Sequence, residues 1–126
     1  MTTRLIFCTG VLAMTLSACG KANASRFDPL NPLHCAAQFE LYSIIARHHG
    51  DEVKARGFGA RSQWYADRAR SFPAEQLTIG ALTDLGNRIA ARPDGGLALA
   101  TECLKRQDSD PSVQRLVRQA KAGAGR

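Results

Sequence analysis

From Cys35 onward, apolar side chains recur at the interval of an α-helix, and this periodicity constrains the fold more than any other feature of the chain. Cys35, Phe39, Tyr42, Ala46, His49 and Val53 follow one another at alternating steps of four and three, and Leu41 and Ile45 widen the stripe. Such a stripe forms one buried face, because 3.6 residues complete a helical turn. Leu82, Leu85 and Ile89 repeat the pattern, as do Val113, Leu116, Val117 and Ala120. Strand-like alternation of apolar and polar residues, with its period of two, is absent. The expected fold is all-α, a small bundle of four to five short helices.

Breakers and caps place those helices. Gly57 and Gly59 are read as the end of the first, and Gly57-Phe58-Gly59 as an interhelical turn. A second helix is expected from about Ala60 to Ser71, with Ala60, Trp64 and Ala69 inward and Arg61, Asp67, Arg68 and Arg70 solvated. After the boundary at Ser71-Phe72-Pro73, a third runs from about Ala74 to Ala91. Arg92-Pro93-Asp94-Gly95-Gly96 is a turn cluster. A fourth helix, Leu97 to about Arg106, carries Cys103 and Leu104. Asp110-Pro111 reads as an N-cap followed by proline at the first helical position. The last helix would run to about Lys121, leaving residues 122–126 as a frayed tail.

The first residues have another character. Arg4 is followed by an uncharged apolar run from Leu5 to Leu16. A twelve-residue helix rises about 18 Å, short of the roughly 30 Å hydrocarbon core, and fits the h-region of a signal peptide. Leu16-Ser17-Ala18-Cys19 follows at once. This tetrapeptide resembles the lipobox of bacterial lipoproteins: a leucine, two small residues that fit a peptidase cleft, and the cysteine that is lipidated and becomes the new N-terminus. The resemblance covers the signal segment alone. It implies a signal peptide at 1–18, lipid on Cys19, a tether over 19–33 and a helical domain over 34–121. Pro29 and Pro32 keep the tether from continuous helix or sheet. A rival site, Ala22-Asn23-Ala24 before Ser25, fits ordinary signal peptidase and would release a soluble periplasmic protein.

Export bears on the remaining cysteines. Cys8 would leave with the signal peptide and Cys19 would carry lipid, so Cys35 and Cys103 remain for an oxidising compartment. One disulfide is the simplest outcome. It would staple the first helix to the fourth in a domain too small for a large core.

Chemistry-bearing motifs are sparse. His48-His49-Gly50-Asp51-Glu52 holds potential metal ligands, but adjacent helical residues point about 100° apart, and no His-Glu-x-x-His spacing completes a set. No nucleophile elbow, phosphate loop or dinucleotide fingerprint occurs. No catalytic residue, metal site or cofactor is therefore assigned. The net charge of +6 is scattered over the chain, which gives no case for nucleic acid as a partner. Arg115, Arg118 and Lys121 share roughly one helix face, near Lys105 and Arg106. That face suits anionic headgroups or plain solvent. Arg61, Trp64, Tyr65 and Arg68 combine aromatic area with guanidinium donors, a composition enriched at protein interfaces. The expected function is a membrane-tethered, non-enzymatic helical module that binds a cell-envelope protein through this patch. The alternative is a soluble periplasmic protective protein, an immunity protein or stress chaperone.

Overall fold

The computed structural model describes residues 27–124. Five α-helices follow in order: α1 (Pro32–His48), α2 (Glu52–Arg68), α3 (Ile79–Ala90), α4 (Leu97–Asp108) and α5 (Pro111–Ala124), with a single 3-10 turn at Ala74–Gln76 ahead of α3. The described residues contain no strand. No helix among them is long and apolar enough to cross a membrane.

Local chemistry sets the boundaries. Asn31 caps α1, its side chain accepting from Leu33 N at 2.9 Å, with Pro32 at the first helical position. α1 ends at Gly50, whose φ of +81° disfavours any residue with a Cβ. Asp51 then caps α2 by accepting from Lys54 N at 3.0 Å. The break between the first two helices therefore lies at His49-Gly50-Asp51, not at Gly57-Phe58-Gly59, which is helical. Gly57 marks a close approach instead: a Cβ there would lie 2.6 Å from Lys121 Cε, whereas one on Gly59 would meet Ser43 Oγ at an ordinary 3.6 Å. Once the chain turns at Gly50, the first stripe cannot continue: His49 is exposed and Val53 is 45% exposed. Ile45, expected to widen the stripe, is also 45% exposed.

Thr78 caps α3 through Ala81 N at 3.1 Å, so the helix starts later than Ala74. Asp94 accepts from Gly96 N at 2.8 Å and Ala98 N at 2.9 Å, fixing the entry to α4. Asp110 accepts from Ser112 N at 2.9 Å at the start of α5. That helix continues to Ala124, past the expected fraying point. Val113 and Val117 are buried as expected, whereas Leu116 is 41% exposed.

α1 is the central helix, packed against α2, α3 and α4, while α5 packs on α2 and α4. The core joins Cys35, Ala36, Ala37 and Phe39 of α1 to Tyr65, Leu82, Leu85, Ile89, Leu99 and Cys103. Small residues let the helices approach: a Cβ on Gly86 would stand 2.8 Å from the Ala37 carbonyl oxygen. Hydroxyls sew the α1–α2 seam, Ser43 Oγ donating to Ala55 O and Ser62 Oγ to Ala36 O, each at 2.8 Å. Cys35 and Cys103 form the expected disulfide between α1 and α4, with Cα atoms 5.8 Å apart and both residues fully buried.

The expected tether shortens at its C-terminal end. Phe27 packs against the core, edge-on to His34 at 5.3 Å between ring centroids, and Leu33 is buried. Asp28 N donates to His34 Nδ1 at 2.9 Å. The packed unit thus begins by Phe27 rather than at residue 34, because an aromatic anchor and a helix cap hold the chain to the bundle. Residues 1–26, including Cys19 and the alternative site at Ala24, lie outside the described residues, as do 125–126.

Candidate functional site

The four residues of the sequence-derived patch all stand on α2, which packs against α5. The two helices run antiparallel. Arg68 Nη2 lies 4.0 Å from Asp110 Oδ2 at one end of the seam, and Lys121 crosses Gly57 at the other. Ser112, through its hydroxyl and backbone N–H, and then Arg68 hold the Asp110 carboxyl below the usual carboxylate range.

The patch divides in two. Exposed Arg68 and half-buried Trp64 form one half. The Arg68 guanidinium sits 3.3 Å above the Trp64 ring centroid, and Nη1 donates to Trp64 O at 3.0 Å. A planar cation stacked on an indole is held by the ring quadrupole and still offers donors at its edge. The indole Nε1 is buried and finds no acceptor among the described residues.

Tyr65 and Arg61 turn inward. Tyr65 is 3% exposed and its hydroxyl donates to Cys103 O at 2.6 Å, tying α2 to the disulfide helix. Burial raises its pKa, while Arg106, Arg61 and Arg68 pull the other way. Tyr65 is therefore a core residue and not part of an exposed patch. Its neighbour Trp64, about 100° away on the helix, is half-buried: it packs against the edge of the core, as expected for an inward residue, and takes Arg68 on its ring. Arg61 is partly buried; Nη1 donates to Gln107 Oε1 at 2.8 Å, and Gln107 Nε2 returns a bond to Arg61 O at 3.1 Å. Gln107 is fully buried.

His48 and His49 are exposed at the end of α1 with ring centroids 6.3 Å apart. Nowhere among the described residues do three or more His, Cys, Asp or Glu side chains gather as a metal set. Next to His49 lies a feature that sequence reasoning missed: an open apolar groove of about 430 Å³ along Tyr42, Ile45, Ala46 and Phe58, rimmed by Asp51 and Lys54. Its walls come from α1 and α2 on either side of Gly50, so placing the helix break at Gly57 hid it. No protein-family model matches the chain, and no curated protein or solved structure is significantly similar to it.

Proposed function

We propose that the protein is a membrane-tethered, non-enzymatic helical module that binds another protein of the cell envelope. The anchor in this reading is lipid on Cys19, supported by Leu16-Ser17-Ala18-Cys19 at the end of an uncharged apolar run. The observation that carries the binding reading is the Arg68 guanidinium stacked on Trp64 at the α2–α5 seam. Stacked aromatic and arginine side chains bring large contact area and fixed donors at low cost in rotamer entropy, which is why they dominate interface energetics. A tethered module meets other envelope proteins at raised local concentration, so a modest interface suffices.

Arg68→Ala is the test. The Arg68 side chain is 47% exposed, so the domain should lose only the exposed stack, about 0.5–1 kcal/mol. Crosslinking in cells followed by purification should capture an envelope protein on the wild-type chain and lose it on the variant. Equal capture by both chains, or none by the wild type, would remove the assignment.

A further inference from the structure

We propose that the cleft between α2 and α5, walled by Lys54, Arg61 and Lys121, binds a phosphate group. The site is independent of the lipid anchor and lies further along the seam from the Trp64–Arg68 stack. Lys54 and Arg61 are two helical turns apart on one face of α2, with Gly57 between them. Lys121 comes from α5, its aliphatic stem lying where a Gly57 side chain would be. The glycine thus clears the floor on which the second lysine rests. The remaining lining is Phe58 and Val117, and no carboxylate lines the cleft.

Three observations distinguish this arrangement from an ordinary solvated helix face. First, Arg61 is held in place: the fully buried Gln107 takes one of its donors and bonds back to its own carbonyl. A guanidinium fixed in advance loses little entropy when it binds an anion. Second, Lys54 stands in the first turn of α2, where the helix dipole disfavours a cation. Third, Asp51 pairs with Lys54 at 4.0 Å and Glu52 is bonded to Arg47 and Arg56, each at 3.1 Å, whereas among the described residues no carboxylate pairs with Arg61 or Lys121.

The chemistry of the ligand follows from count and size. The cleft offers about 50 Å³, room for one small oxyanion group. Three cations from two helices match three terminal oxygens and a charge of about −1.5 to −2, as on a phosphate at pH 7. A lone carboxylate would leave more of that positive charge unanswered. The apolar floor lowers the local dielectric and strengthens each contact. Free inorganic phosphate and the phosphomonoester headgroup of phosphatidic acid share this chemistry.

The test titrates the exported protein with sodium phosphate at ionic strength held constant with sodium chloride. A second titration uses glycerol 3-phosphate, the deacylated headgroup of phosphatidic acid. Melting temperature and phosphorus-31 NMR line width are followed in both. Saturable binding is expected, weakened at least about tenfold in the Lys54→Gln, Lys121→Gln double variant and retained in Lys121→Arg. Both lysines are exposed, so the unliganded double variant should melt where the wild type does. Tighter binding of inorganic phosphate assigns the free ion as the source, and tighter binding of glycerol 3-phosphate assigns the headgroup. Absence of saturation with both probes, or affinity unchanged in the double variant, would overturn the site. Neither result bears on capture of an envelope protein through Arg68.

Discussion

Opening the Cys35–Cys103 bridge should remove a large share of the domain's stability. The two cysteines are 68 positions apart, so reduction releases a loop of that length in the unfolded chain. Loop-closure entropy for such a span is worth about 4 kcal/mol at 25 °C. A domain of this size is expected to hold only about 5–15 kcal/mol in total, so the reduced protein would be marginal. Both cysteines are fully buried in the contact between α1 and α4, so the native state should shield the bridge from reductant until the domain opens. The assay is urea unfolding followed by far-UV circular dichroism, with and without reductant after a full unfolding and refolding cycle. With an m-value of about 1–3 kcal/mol/M, the midpoint should fall by roughly 1–4 M. The oxidised form should unfold in one cooperative step. A loss below about 1 kcal/mol would refute the reasoning, because it would mean that the released loop is already ordered in the reduced unfolded chain.

Three further outcomes follow from particular contacts. Gly86→Ala should destabilise by about 1–3 kcal/mol from overpacking against the Ala37 carbonyl, less up to about 1 kcal/mol of helix propensity; a higher melting temperature would refute this. Gln107→Ala should cost about 1–3 kcal/mol, because Arg61 loses both of its bonds to a fully buried amide; an unchanged urea midpoint would contradict it. His34 accepts the Asp28 N–H at Nδ1, and burial lowers its pKa while Asp28 draws it back up. A histidine whose folded pKa lies below the unfolded one stabilises fully above about pH 6.5 and loses that contribution as pH falls through the folded value. Wild type should therefore lose melting temperature between about pH 7 and pH 5, and His34→Gln should flatten the slope; equal slopes would dismiss the role given to His34.

Most of the fold was legible because burial imposes the helical period directly. Leu82, Leu85 and Ile89 line the core, and Asp110-Pro111 starts α5 where its capping chemistry predicts. The bridge was legible from cysteine count together with the export that the N-terminal run leads one to expect. The α1–α2 boundary was not, because glycine has two uses that a sequence does not separate. Gly50 supplies a left-handed turn, whereas Gly57 lies inside a helix where Lys121 comes close. The candidate patch was half legible for a related reason. Trp64 and Tyr65 are adjacent and both aromatic, and contacts distant in sequence, Cys103 O and the Phe39 ring, hold Tyr65 inside. The cationic cleft needed the antiparallel pairing of α2 with α5, since Lys54 and Arg61 lie far from Lys121 in sequence.

The N-terminus of the mature chain gives the most direct test of the proposed tethered module. Cells are separated into membrane and soluble fractions, and the protein in each is analysed by intact mass. The expected result is a chain in the membrane fraction that begins at Cys19 and carries added acyl mass, with Cys19→Ala blocking this processing. A chain that begins at unmodified Ser25 and lies in the soluble fraction would contradict the anchor and leave a free periplasmic protein in its place.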